Sequence, residues 1–392
     1  MSSPHRSVPA LQRVSAFALG LFAVAQASSL GAQASPTLAT ASPETVATLI
    51  KDLGLEEGPT PSRERKAWRA PKKIVMLGGT DTQRDVLASA APGAEVVIVP
   101  NMPAMAKAAT NADVVVGLTS FPGICEPEVL DNAQELRWIL SMSAGVERCM
   151  NVPSVASRDI LVTNLRAVES AAIGEHAIAL ALALARGFDR FAVNTRQARW
   201  SREDSNGMQV LTGKTMLVVG LGGIGTEVAS RAHALGMKVI ATRASGRTGP
   251  DYVSYVGLPS ELLTLAKQAD VIVMAAPLTT ETTNLFDAKF FEVVKPTSYF
   301  INVARGKSVV TADLLKALNE GRIAGAGLDV VEPEPLPADH PLWRAPNLII
   351  TPHVSSRSDL SGDQRWIITR ENMRRYVAGE KMLSEVDLTR EY

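Results

Sequence analysis

Three residues in the last part of this 392-residue chain have side chains suited to chemistry on a small anion. Arg305 lies in Ile-Asn-Val-Ala-Arg-Gly (301–306), Glu334 in Gly-Leu-Asp-Val-Val-Glu-Pro-Glu-Pro (327–335), and His353 in Thr-Pro-His (351–353). Each comes shortly after an apolar run that reads as a buried strand, at 298–302, 324–328 and 348–351. A guanidinium offers a fork of donors to a carboxylate or a developing oxyanion. An imidazole titrates near neutrality and can move a proton. A carboxylate beside it orients the ring and favours its protonated form. Taken singly, Arg305 also reads as a cation at a helix start, and Glu334 as a loop charge. His353 is better isolated. Of the other histidines, His5 lies in an N-terminal leader, His176 and His233 fall inside helices where packing is the simpler role, and His340 sits in an Asp-His-Pro turn.

Strands alternating with helices must position these residues, and one turn organises them. The apolar run 215–219 leads into Gly220-Leu-Gly222-Gly223-Ile224-Gly225, a helix follows at 226–235, and a second run at 238–241 completes a β-α-β unit. Gly220 permits the tight turn, Gly222 admits a pyrophosphate to the backbone, and Gly225 lets helix and strand pack closely. The helix N-terminus adds free N–H groups and a positive dipole end. A dinucleotide site is therefore expected. Where an NAD site carries an acidic residue after the second strand, this chain has Arg243, with Thr242, Ser245 and Arg247 beside it and no carboxylate before Asp251. A guanidinium matches a 2′-phosphate that a carboxylate would repel, so NADP is expected, with NAD as the alternative. A solvated loop that happens to carry arginines is the bland reading.

Further runs at 73–77, 95–99, 113–117, 138–141 and 160–163 alternate with helical patterns and imply a first parallel sheet. The second unit shows six strand-like runs, at 215–219, 238–241, 271–275, 298–302, 324–328 and 348–351. Between the units, residues 168–186 read as a helix buried on all sides. A tail helix at 359–378 is expected to cross back to the first unit, which puts substrate in the cleft between them.

Together the segment from Pro277 (Pro-Leu-Thr-Thr-Glu-Thr), the NVARG turn, GLDVVEPEP and TPH resemble the D-isomer-specific 2-hydroxyacid dehydrogenases, over residues 72–380. The resemblance implies an α/β fold of two doubly wound parallel-sheet domains: a Rossmann dinucleotide-binding domain (167–351) inserted into a discontinuous flavodoxin-like substrate domain (72–166 and 352–392). It implies that Arg305 binds the substrate carboxylate and C2 oxygen, that His353 is the acid/base, and that Glu334 tunes it. It assigns Pro277 and Val303 to the cofactor, Asp329 and Ser355 to the nicotinamide carboxamide, and Leu118, Thr119, Ser143, Ala144 and Gly145 to the substrate cradle. A homodimer is also implied. Glu334 argues against the formate-oxidising branch, which carries Gln there. The glycine-rich continuation usual after TPH is replaced by Val-Ser-Ser-Arg-Ser (354–358), which makes Arg357 a candidate extra substrate contact. The expected activity is NADP-dependent reduction of a small 2-keto acid of the glyoxylate or hydroxypyruvate type. The alternatives are a non-catalytic dinucleotide-sensing scaffold and a phosphite-type dehydrogenase.

Lys plus Arg and Asp plus Glu balance at 40 each, so nothing in the charge asks for nucleic acid or an anionic membrane. Residues 1–34 read as a signal peptide: His5, Arg6 and Arg13, an apolar run at 14–25, then two Ala-Gln-Ala cleavage candidates ending at Ala27 and Ala34. A functional leader would place the protein in the periplasm or outside the cell; otherwise it is cytoplasmic. Residues 35–71 read as a linker with a docking helix. Cys125 and Cys149 show no metal-binding spacing; two free thiols is the simpler reading, with pairing the outcome in an oxidising compartment.

Overall fold

The computed structural model describes residues 41–119, 123–150 and 152–388, so the leader lies outside the described residues. A helix, Pro43–Asp52, is capped by the Ser42 side chain and precedes strand β1 (Glu57–Pro61). Strands β2 (Lys73–Leu77), β3 (Glu95–Val99), β4 (Val114–Gly117), β5 (Trp138–Ser141) and β6 (Leu161–Thr163) form a parallel five-stranded sheet, order β3-β2-β4-β5-β6. Both faces of this sheet are covered, which is why its strands are mostly apolar runs. Ile74, Met76, Val114, Val116, Trp138 and Leu140 point to one side; Val75, Val115, Ile139 and Val162 point to the other.

The second sheet is parallel and seven-stranded: β7 (Thr215–Val219), β8 (Lys238–Thr242), β9 (Val253–Gly257), β10 (Val271–Met274), β11 (Tyr299–Asn302), β12 (Gly325–Leu328) and β13 (Leu348–Ile350), in the order β13-β12-β11-β10-β7-β8-β9. The chain winds outward from β7 to β9 and then returns to β10. The crevice beyond the C-terminal ends of β7 and β10 is thus the topological switch point, where such sheets bind ligands. The six-strand expectation is corrected by β9, an edge strand whose exposed Ser254 and Tyr255 hide it from an apolar-run criterion.

The tail helix, Ser361–Ala378, returns to the first sheet and buries Trp366, Ile368, Met373 and Tyr376 in its core. Tyr376 stacks on Trp138 with ring centroids 4.8 Å apart, a contact worth about 1 kcal/mol beyond its burial. The chain then enters β14 (Lys381–Leu383), which pairs antiparallel with β1. Part of the stretch read as linker is therefore sheet.

The helix between the units, Ser170–Arg186, is not buried on all sides. Ile173, Ala177, Leu180, Ala181 and Leu184 pack on the second sheet, whereas Ala171, Glu175 and Ala179, four residues apart, form an exposed stripe. Alanine is apolar enough to read as core yet costs little when left in water.

The free-thiol reading of the cysteines is also corrected: Cys125 and Cys149 form a disulfide, with Cα atoms 4.9 Å apart. They follow the neighbouring strands β4 and β5, so the sheet itself brings their loops together, and both are buried. Closing a loop of this length restricts the unfolded chain by roughly 3 kcal/mol.

Candidate active site

The glycine turn closes the C-terminal end of β7. Gly220 adopts φ +97°, and a Cβ there would stand 2.6 Å from Ala276, just past β10. Gly225 packs under the turn, where a side chain would meet the carbonyl oxygen of Gly220. Gly222, by contrast, faces open space and caps the helix Gly223–Ala234, with Gly223 exposed and Ile224 half-buried. A tight turn, a close helix and an open helix start are what a pyrophosphate requires, so these residues fit a dinucleotide.

At the end of β8, Thr242 is buried and its carbonyl accepts from Gly220 and Leu221. Arg243 is braced by its loop: Nε donates to Ser245 Oγ at 2.8 Å and one Nη to the Thr248 carbonyl at 3.1 Å. Arg247 is committed elsewhere. It pairs with Glu261 at 2.7 Å and donates to the Tyr255 hydroxyl at 2.9 Å. The Tyr255 hydroxyl, the Leu258 amide and Arg247 together hold the Glu261 carboxyl down to about 2. Of the two arginines, Arg247 is paired with a carboxylate, whereas Arg243 is held by a hydroxyl and a carbonyl. Pro277 and Val303 lie just past β10 and β11, on the same edge of the sheet.

Beyond β12, Asp329 is fully buried and ties several segments together. Its carboxylate accepts from the Thr351 hydroxyl at 2.6 Å and from the Val354 and Ser355 amides at 3.0 Å each. Burial pushes its pKa up, but these bonds outweigh burial and hold it below the usual carboxylate range. His176, read from sequence as a packing residue, reaches the same cluster: Nε2 lies 2.9 Å from Thr351 Oγ1 and 3.6 Å from Asp329.

His353 stands at the end of this loop with φ +53°, in the left-handed region, and its amide donates to the Asp329 carbonyl. Nδ1 lies 2.9 Å from Glu334 Oε2, while Glu334 Oε1 accepts from the Val331 amide at 3.0 Å. The bond to Glu334 raises the His353 pKa; burial and the nearby Arg305 charge oppose it and lose. Burial pushes Glu334 the other way, but the His353 bond, the Val331 amide and the Arg305 charge bring it below its ordinary value.

Arg305 follows β11 in a turn braced by Asn302, whose side chain donates to the Arg305 carbonyl and accepts from the Ala304 amide. Gly306 lets this turn approach the backbone at Val331, so the NVARG and GLDVVEPEP segments touch. Opposite lies the edge of the first sheet. A side chain at Gly145 would collide with the Arg305 guanidinium. The Thr119 hydroxyl lies 2.9 Å from Ser143 Oγ and bonds the Gly145 carbonyl, and Asn164 donates to the Ala144 carbonyl at 2.8 Å. Leu118 is exposed at the end of β4. The cradle residues and Arg305 are thus brought together across one cleft, with Glu334 and His353 bonded to each other at the ends of the next strands. Two residues that the sequence did not single out also enter: His176, and Glu147, whose carboxylate binds Arg305 directly.

The raised His353 pKa has a kinetic consequence. If His353 donates the proton in reduction of a carbonyl, kcat/KM for reduction should be flat at low pH and fall as pH rises through the raised pKa, and oxidation should rise through the same value. In Glu334→Gln the charged partner is gone, and the falling limb of the reduction profile should move to lower pH. A profile unmoved by the substitution would remove Glu334 from this role.

A model of the D-isomer specific 2-hydroxyacid dehydrogenase NAD binding domain matches residues 178–355. A glyoxylate reductase of Thermofilum pendens is 35% identical over 235 residues, covering 59% of this chain and 69% of its own. Among solved structures, a D-isomer specific 2-hydroxyacid dehydrogenase family protein from Aeromonas salmonicida is 32% identical with a TM-score of 0.70, over 81% of this chain and 99% of that one. A D-isomer specific 2-hydroxyacid dehydrogenase from Xanthobacter autotrophicus, in complex with NADPH and MES, is 28% identical with a TM-score of 0.69, over 82% and 100%.

Proposed function

Because the chain belongs to the D-isomer specific 2-hydroxyacid dehydrogenases, a family of NAD(P)-dependent oxidoreductases, we propose that it uses NADPH to reduce a small 2-keto acid of the glyoxylate or hydroxypyruvate type. The observation that carries this reading is the joint placement of Arg305 and the bonded Glu334–His353 pair at one sheet edge, facing the Thr119–Gly145 cradle. When bound, the nicotinamide supplies a hydride. The chain's own residues do the rest. Arg305 and the cradle grip the carboxylate and the C2 oxygen, where negative charge develops. His353 holds a proton at the free Nε2 side of its ring and gives it to that oxygen, and Glu334 keeps the ring oriented and protonated. The reductase of Thermofilum pendens supports the substrate class.

The test is NADPH oxidation against a panel of 2-keto acids, with phosphite and NADP as the reverse assay. NADPH binding without turnover on any member would favour a sensing scaffold, and turnover of phosphite alone would favour the phosphite-type enzyme. The cofactor preference rests on Arg243, and the NADPH-bound relative from Xanthobacter autotrophicus supports it. Charge-assisted bonds to a phosphate contribute about 1.5–3 kcal/mol. Arg243→Asp should therefore lower the NADPH/NADH ratio of kcat/KM by roughly tenfold or more. An unchanged ratio would mean that the loop is only a solvated surface.

The protein forms a homodimer in this reading. After the helix Ser170–Arg186, the chain carries exposed Phe188, Val193, Trp200 and Val210, with Trp200 at 91%, apolar side chains that a second copy could cover. Light scattering should give twice the 41.7 kDa chain mass, less any leader removed; a monomer would end this part of the reading. The Cys125–Cys149 disulfide supports the exported destination read from the leader. Intact mass of the same sample, with and without reductant, reports both the bond and the loss of the leader.

A further inference from the structure

We propose that Glu147 is a positioning residue for Arg305: it holds the guanidinium by its Nε edge and leaves only the far end of the fork for substrate. This rests on the assignment of Arg305 as the substrate's cation. The guanidinium has five N–H groups. Nε donates to Glu147 Oε1, and one Nη donates to the Ala304 carbonyl at 2.7 Å. The other Nη lies against Gly145, whose missing side chain leaves the room: a Cβ there would collide with Arg305 and stand 2.7 Å from the second carboxylate oxygen of Glu147. Arg305 and Glu147 are both half-buried, at 32% and 24% side-chain exposure.

The two residues belong to opposite walls of the cleft, Glu147 following β5 and Arg305 following β11. Glu147 is itself anchored. It begins the short helix Glu147–Met150, and Cys149 in that helix is fully buried and bonded to Cys125, which follows the loop carrying Thr119. The arginine side chain, with many rotamers of its own, is thus fixed by a carboxylate whose backbone is covalently tied. Because Glu147 occupies the Nε edge, a keto acid meets Arg305 end-on, with the remaining donors shared between carboxylate and C2 oxygen. That geometry matters most in the transition state, where charge builds on the C2 oxygen.

The experiment compares Glu147→Ala, Glu147→Gln and Arg305→Ala with the unmodified chain, using NADPH and glyoxylate, and measures NADPH affinity by fluorescence. In Glu147→Ala, kcat should fall by about tenfold to a hundredfold, the cost of a misplaced catalytic group, with NADPH affinity unchanged. Glu147→Gln keeps the acceptor oxygen and removes the charge, so it should keep kcat within about threefold and show an equal or lower KM. An unchanged or raised kcat/KM in Glu147→Ala would overturn the proposal, since Glu147 would then be only a counter-ion that substrate displaces. If Arg305→Ala retains turnover, the assignment of Arg305 falls and this proposal with it; if Arg305→Ala is inactive and Glu147→Ala unimpaired, the proposal alone falls. Should the alanine variant not fold, Glu147→Asp replaces it: the charge stays, the reach is lost, and an unimpaired kcat overturns the proposal equally.

Discussion

Replacing His353 by asparagine is expected to lower kcat for keto-acid reduction by about 10²–10⁴-fold while leaving NADPH affinity intact, the usual range for loss of a general acid. Asparagine is the better substitution here because His353 sits at φ +53°, a left-handed conformation that asparagine tolerates and alanine does not. The loop that carries it is held independently of the imidazole, by bonds from the Val354 and Ser355 amides and the Thr351 hydroxyl to Asp329. The backbone should therefore survive, and only the proton donor should be lost. Steady-state turnover and a fluorescence titration with NADPH check both halves. Turnover within about tenfold of the unmodified chain would remove His353 as the acid.

Arg305→Ala should cost about 10²–10³ in kcat, comparable to deleting a donor from an oxyanion site, and should raise KM as well. The rise in KM has a second source. Without its partner, Glu147 leaves a half-buried negative charge beside the place proposed for the substrate carboxylate. Pairing Arg305→Ala with Glu147→Gln should consequently recover part of the KM but none of the kcat. Arg305→Lys should not rescue kcat either, because an ammonium keeps the charge and loses the fork. The NVARG turn is braced by the Asn302 side chain to main-chain atoms, so thermal stability should change little in any of these variants. An alanine variant with near-normal kcat would mean that another cation binds the substrate.

What could be read from sequence depended on how local the signal was. The glycine turn is legible because strand, turn and helix lie within one short stretch, and the structure gives each glycine the geometry its place in the turn requires. The placement of Arg305, Glu334 and His353 after successive strands is legible because motif and strand end coincide. Glu147 is not: it opens a four-residue helix with no periodicity, and its importance comes from Arg305, 158 positions away. His176 was hidden for the same reason. It lies on an apolar helix, and only the return of β13 brings Thr351 to its ring. The disulfide needed β4 and β5 to be neighbours, a fact about sheet order that spacing along the chain does not carry. Strands β1, β9 and β14 carry no continuous apolar run like those that mark β7 or β10: β1 is Glu-Gly-Pro-Thr-Pro, β9 is interrupted by exposed Ser254 and Tyr255, and β14 has three residues.

The pairing of β1 with β14 has a consequence for the order in which the chain can assemble during synthesis. The ribbon joins residues 57–61 to 381–383, and the helix just before β14 fills the core of the first sheet. All seven strands of the nucleotide-binding sheet, by contrast, lie in the uninterrupted stretch 215–350. As the ribosome releases the chain, the inserted unit has every strand it needs while the outer unit still lacks its closing helix and last strand. The half that begins first must finish last, and until then the tail's place against Trp138 is open.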